Sequence, residues 1–282
     1  MKITVSLTTK NRYYSTLSMS LTSILNQTLL PYEIILVDDN KKKDFYNIEV
    51  YKNIIQLMKL KNVKFSYYHG QSKGQVHAQQ IALEHCNTEL LFKMDDDNIL
   101  ESNVLETLHD TIIKNDNIVA VSGLIFCCDK DKTRLSEEKD LYNKIENVFS
   151  HFNIQMCGGQ DKEIKKCEHL YSNYLFRTKY VESYPLDFSP AGHREDTVFT
   201  YSLYRKGYDL YVNPNCITWH VHNSGGNKSH GFDPIVKNEE MFLDKLQNEW
   251  HISPEKVQII RKNNLIYAVN NGDEFLIYST GK

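Results

Sequence analysis

The sequence predicts an α/β chain built on a mostly parallel central sheet with helices on its faces. Three observations carry that expectation. Short aliphatic and β-branched runs alternate with longer amphipathic stretches through residues 1–100. The alternation implies parallel strands joined by right-handed crossovers. Three of the four runs end in polar or acidic residues suited to a ligand, and in a parallel sheet those ends share one edge.

The elements follow in order. Ile3 to Leu7 reads as a first strand, stopped by the polar loop Thr8-Thr9-Lys10-Asn11-Arg12. Tyr13 to Gln27 carries Leu17, Leu21, Ile24 and Leu25 at helical spacing. Glu33 to Val37 is a second strand ending in Asp38 and Asp39, and Asn47 to Leu60 a second helix. Val63 to Tyr68 is the third strand. The loop His69-Gly70-Gln71-Ser72-Lys73-Gly74 then leads into a helix over Gln75 to His85. Leu90 to Met94 is the fourth strand, and it runs into Asp95, Asp96 and Asp97. Three adjacent carboxylates repel at short range, so the cluster is costly without a cation.

Beyond residue 100 the spacing gives a helix over Asn103 to Lys114, a long strand over Ile118 to Cys127, a charged insertion over Asp129 to Lys144 and a strand over Leu170 to Arg177. Pro190 and Gly192 mark a loop, and Glu195 and Asp196 open a helix that Gly207 ends. Strands over Tyr208 to Val212 and Cys216 to Val221 lead to a loop containing Gly225 and Gly226. The tail differs. It holds an amphipathic helix over Ile235 to Trp250, then three short strands over Val257 to Ile260, Leu265 to Val269 and Glu274 to Tyr278, the last two joined through Asn-Gly. The expected organisation is a domain over 1–232, with halves over 1–100 and 101–232, followed by an accessory helix and β-hairpin element over 233–282.

Composition narrows the function. With 282 residues and 41% hydrophobic content, the chain can bury one large domain with an appendage. A net charge of -3 gives no global reason to bind a polyanion. Eighteen tyrosines and twelve phenylalanines offer faces for sugars or bases. The six cysteines form no C-x-x-C pair, and Cys157, Cys167 and His169 match no common zinc spacing. Reduced thiols and a cytoplasmic location follow as expectations. No apolar run reaches the ~20 residues of a spanning helix, so any membrane contact is expected to be peripheral, at the inner face. No G-x-G-x-x-G follows the first strand, which disfavours a dinucleotide-dependent hydride transfer.

The ordered motifs resemble a known family. They are Thr8-x-x-Asn11-Arg12, Ser23-Ile24-Leu25-Asn26-Gln27-Thr28, Ile35-Leu36-Val37-Asp38-Asp39, Gly74-x-x-x-Ala78-Gln79-Gln80, Met94-Asp95-Asp96-Asp97-Asn98 and Glu195-Asp196. Over roughly residues 1–225 this order is similar to the family-2 inverting glycosyltransferases of the GT-A fold, the group that includes the bacterial spore-coat, capsule and lipopolysaccharide enzymes. The resemblance implies a nucleotide-sugar donor, UDP-sugar first, a divalent Mn²⁺ or Mg²⁺, and an acceptor hydroxyl that attacks with inversion. It implies that Thr8, Asn11, Arg12 and Asp39 hold the nucleoside and that the triplet is the D-x-D region. Asp95 with Asp97, or Asp96 with Asp97, supplies the functional pair. Asp97 is the expected metal ligand in both, Asp95 is a second candidate, and Asp96 is placed on ribose or metal.

Asp196 is the expected general base, with Glu195 as its alternative. Both also suit a helix's first turn, where acidic residues favour the dipole without any catalytic role. His220, within Trp219-His220, is expected to complete the metal shell, with His222 as the other candidate. Lys73, His69 and His77 are further donor-loop candidates, and Lys228 is another. Two departures from the family stand out. Gln79 and Gln80 replace a frequent Arg-Asn, and Lys10 stands where an aromatic is common. The acceptor is expected to be a glycan, a lipid-linked sugar or another hydroxyl, a modified nucleobase included. The pathway expected is surface polysaccharide or glycoconjugate synthesis. Two other functions fit the same fold: a non-catalytic nucleotide-sugar or glycan-binding protein, and a sugar nucleotidyltransferase. The second usually has a Gly-rich phosphate loop near the N-terminus, and Thr8 to Arg12 contains no glycine.

Overall fold

The computed structural model describes the chain except residues 43, 128–162, 171, 191, 222–230, 252–257, 264, 271–272 and 280–282. The charged insertion, His222, Gly225, Gly226 and Lys228 lie outside the described residues. The strands β1 (Ile3–Thr9), β2 (Glu33–Asp38), β3 (Lys64–His69) and β4 (Leu90–Asp95) stand in the order β3-β2-β1-β4, all parallel. Helices α1 (Leu17–Leu25), α2 (Glu49–Leu60) and α3 (Gln75–His85) connect them, as the alternating pattern predicts. The chain winds outward from β1 in both directions. The gap between β1 and β4 is therefore a switch point, where ligands bind in open sheets. Thr8 and Asp95 face each other across that gap.

The second half changes direction. It comprises β5 (Asn98–Leu100), α4 (Val104–Ile112), β6 (Ile118–Cys127), β7 (Lys165–Cys167), β8 (Tyr174–Arg177), α5 (Glu195–Arg205) and β9 (Asp209–His220). β8 is antiparallel to both β4 and β6, and β9 is parallel to β6 but antiparallel to β5 and β7. The sheet is thus parallel through β4 and mixed beyond it. Two readings of the sequence need correction. The two strands expected over 208–221 are one strand, β9, whose pairing with β6 shifts register between Ser122 and Leu124. The strand β5 was missed because it is three residues long and directly follows the acidic triplet.

Alternation along each strand splits the core. Val5, Leu7, Ile34, Leu36, Leu90, Phe92 and Met94 pack with α1, α2 and α4 on one face. Leu91, Tyr174 and Phe176 point to the other face, with α5 residues Val198, Phe199, Tyr201 and Leu203. The tail begins with α6 (Asp233–Asp244), continued by a π-turn over Lys245–Glu249. Ile235, Phe242, Leu243, Leu246 and Trp250 join that second core rather than standing apart from it. Strands β10 (Gln258–Lys262), β11 (Leu265–Asn270) and β12 (Asp273–Ser279) form a separate antiparallel sheet, close to the expected hairpin.

Candidate active site

The strand ends converge as the sequence implies, but the individual carboxylates do different work. Asp38 is a framework residue. It accepts hydrogen bonds from the Tyr13 and Tyr67 hydroxyls, and from the Asn40 amide and side chain at 2.9 and 2.7 Å. Asp39 holds the loop after β3. Its Oδ1 accepts from the Ser72 amide at 2.6 Å and its Oδ2 from the Gly74 amide at 3.2 Å. Lys10 Nζ stands 4.0 Å from Asp39 Oδ2. The Asn11 amide donates to Asn40 Oδ1 at 2.6 Å, from a left-handed backbone (φ 60°) that asparagine tolerates. Thr8, one residue before the end of β1, is buried, whereas Lys73 is exposed at the loop tip.

The triplet divides in two. Asp95 is turned inward by the strand alternation and lies on the α5 face with Lys93. Its Oδ1 accepts from Lys93 Nζ at 2.9 Å and Gln75 Nε2 at 2.8 Å, and its Oδ2 from Ser172 Oγ at 3.0 Å. Two donors fill both lone pairs of Oδ1, and Oδ2, with one donor, keeps one lone pair. Asp97 is different. Its Oδ2 pairs with Arg12 Nη1 and stands 3.3 Å from His220 Nε2, while its Oδ1 has no hydrogen bond among the described residues. Burial alone would raise the Asp97 pKa, but His220 and Arg12 outweigh it and hold the carboxyl at about 2. Asp96 sits 3.4 Å from Arg12 Nη1. Burial dominates there and pushes its carboxyl up to about 7, against the pull of Arg12.

His220 reaches Asp97 because β5 and β9 pair Asn98 with His220, and the Val221 amide donates to the Asp97 carbonyl at 2.8 Å. An antiparallel ladder thereby closes a sequence gap that motif spacing alone leaves open. Among the described residues no group of three or more His, Cys, Asp or Glu side chains is arranged as a complete metal cage. The Asp97 carboxylate and the His220 imidazole stand 3.3 Å apart and would be the residues to hold a divalent cation there; the carboxylate suits Mn²⁺ or Mg²⁺, whereas an imidazole nitrogen does not suit Mg²⁺.

Asp196 opens α5 on the opposite side of Lys93. Its Oδ2 accepts from Lys93 Nζ at 3.0 Å and the Ser172 amide at 2.9 Å, and its Oδ1 from the Tyr174 hydroxyl at 2.9 Å. Oδ1 keeps one lone pair for a substrate proton. Burial raises the Asp196 pKa and Lys93 opposes the rise. Glu195 is also buried, and burial together with the Asp196 charge pushes its carboxyl up to about 8. Lys93, the Ser172 amide and Tyr174, the donors that orient Asp196, do not hydrogen-bond it.

Lys93, Gln75, Ser172, Asn173 and Tyr174 are site residues that the motif reading missed. Lys93 had a legible signal: a lone cation in an apolar strand, two residues before Asp95 and hence on its face. The family departure at Gln79-Gln80 also has a local reason. Gln79 is buried, and Gln80 Oε1 accepts from the Tyr184 amide at 2.8 Å, which ties α3 to the segment before α5.

Comparison with known proteins bears on the fold. The mixed central sheet flanked by helices is that of the GT-A glycosyltransferases. The chain is similar to GalNAc-T7, solved with UDP, GalNAc and Mn2+, at 16% identity and a TM-score of 0.62, over 88% of this chain and 48% of that one. It is similar to S. aureus TarS residues 1–349, solved with UDP-GlcNAc, at 16% identity and a TM-score of 0.59, over 88% of this chain and 67% of that one. This chain therefore spans about half the length of the first of these structures. A comparison with curated protein sequences yields no match. Residues 4–167 match the family described as Glycosyl transferase family 2. The chain belongs to that family and is a glycosyltransferase. No helix among the described residues is long and apolar enough to cross a membrane.

Proposed function

We propose that the chain transfers a sugar from a UDP-sugar to an acceptor hydroxyl with inversion, assisted by Mn²⁺ or Mg²⁺. The observation that carries this reading is the pair of groups at the end of β4. Asp97 and His220 form a cation-ready pair on one side, and Asp196, bound through Lys93 to Asp95, forms a base on the other. Asp97 and His220 would hold the metal, which when bound neutralises charge on the leaving diphosphate.

The chain's own residues do the rest. Arg12 holds Asp97 in place. Asp39 keeps the loop 70–74 folded beside the β1 and β2 ends, where the nucleoside sits with Thr8 and Asn11. Asp196 Oδ1 accepts the proton of the acceptor hydroxyl as its oxygen bonds to the anomeric carbon, and the bond from that carbon to the diphosphate breaks, releasing UDP. A single base on the face opposite the leaving group gives inversion. The UDP in the two similar structures supports the choice of nucleotide. The intact Asp97 and Asp196 favour an enzyme over a binding protein of the same fold.

Surface polysaccharide or glycoconjugate synthesis is the setting we propose, with the protein in the cytoplasm or at the inner face of the membrane. The test is turnover against a panel of UDP-, GDP- and dTDP-sugars with Mn²⁺. UDP-sugars are expected to be cleaved, and a panel without binding or turnover would remove the enzyme reading. Asp97→Ala is expected to abolish the metal-dependent part of UDP binding in titration calorimetry. Unchanged affinity in Mn²⁺ would exclude Asp97 as a ligand.

A further inference from the structure

Helix α6 grips the segment that delivers the base. Glu239 is fully buried, at 0% exposure. Its Oε1 accepts from Arg194 Nε at 3.0 Å and contacts His193 Nε2. One residue earlier, Asn238 Nδ2 donates to the Phe188 carbonyl at 2.7 Å and the His193 carbonyl at 3.0 Å. The Arg194 guanidinium also lies 5.0 Å from the centroid of the Phe242 ring, on the same helix. Two consecutive residues of α6 thereby tie down both ends of the loop 188–194. Arg194 is left-handed (φ 69°), a conformation strained for a non-glycine residue that persists only where its surroundings enforce it. The next two residues are Glu195 and Asp196.

The same loop touches the donor side. Ser189 Oγ bonds the Lys73 carbonyl. Gly74 packs so closely on Pro190 that a Cβ there would lie 2.4 Å from the Pro190 carbonyl oxygen. Gly74 in turn donates its amide to Asp39. An apolar side chain at 239 would pack at lower electrostatic cost, and only a charged acceptor fixes the direction of Arg194 and His193.

We propose that Glu239 and Asn238 are positioning residues for Asp196. They set the loop 188–194, and with it the start of α5, against the bound donor. The inference rests on the transfer reading above and adds the tail helix to the catalytic unit.

The test measures Mn²⁺-dependent UDP-sugar hydrolysis together with UDP affinity, in the wild-type chain, Glu239→Gln and Asn238→Ala. Both variants are expected to lose kcat by about tenfold to a hundredfold, as misplacement of a reacting group does, with the Kd for UDP within about twofold of wild type. Wild-type kcat in the variants overturns the inference. So does a loss of UDP affinity in step with kcat, since that marks general structural damage. If Glu239→Gln does not fold, Asn238→Ala leaves the ion pairs intact and carries the same test. A wild-type chain without turnover overturns the transfer reading, and this inference with it.

Discussion

Asp196→Asn is expected to leave Mn²⁺-dependent UDP binding intact and to lower sugar transfer by about 10²–10⁴-fold, the usual contribution of a positioned general base. The substitution keeps the shape of the side chain. The asparagine carbonyl can still accept from Lys93 and the Ser172 amide, and its amide can face the Tyr174 hydroxyl, which tolerates either role. What it removes is the Oδ1 lone pair that takes a proton. Binding, which is assigned to the β1, β2 and β4 ends, has no direct contact with Asp196. Measured kcat and UDP affinity separate the outcomes. A parallel loss of UDP affinity would take Asp196 out of the base role, and full residual activity would pass the role to Glu195.

Lys93→Met is expected to destabilise the fold by about 3–5 kcal/mol, read as a lower midpoint in chemical unfolding. Lys93 Nζ is 2.9 Å from Asp95 and 3.0 Å from Asp196, and its side chain is 1% exposed. Methionine fills similar volume, so packing loss is small. The cost comes from the buried Asp196 and the partly buried Asp95, left without their shared cation. Breaking such a pair costs far more than an exposed ion pair contributes, which is at most about 1 kcal/mol. A change below about 1 kcal/mol would show that the two carboxylates shed their charge at little cost.

The alternating pattern made the β3-β2-β1-β4 half legible, because each strand there is long, apolar and followed by a helix of clear period. Thr8, Arg12, Asp39 and Asp97 came with it, since strand ends in a parallel sheet must share an edge. The internal division of the triplet was not legible. Whether Asp95 faces Lys93 or a cation depends on which face of β4 each residue takes, and the strand's exact end decides that. The antiparallel half was harder for the same reason. β5 is too short to show a period, and its pairing with β9 is a long-range event that places His220 beside Asp97. The tail helix read as an appendage because its amphipathic face shows that it packs, not what it packs against. Glu239 and Asn238 look like ordinary solvated polar residues until the loop 188–194 folds over them.

The most direct test of the central claim is the anomeric configuration of the sugar released from an α-linked UDP-sugar in Mn²⁺, followed by proton NMR before mutarotation. A single base at Asp196, opposite the leaving diphosphate, gives the β-anomer as the first product. The α-anomer as first product would contradict it, since retention requires a second displacement or a same-face attack that Asp196 does not serve.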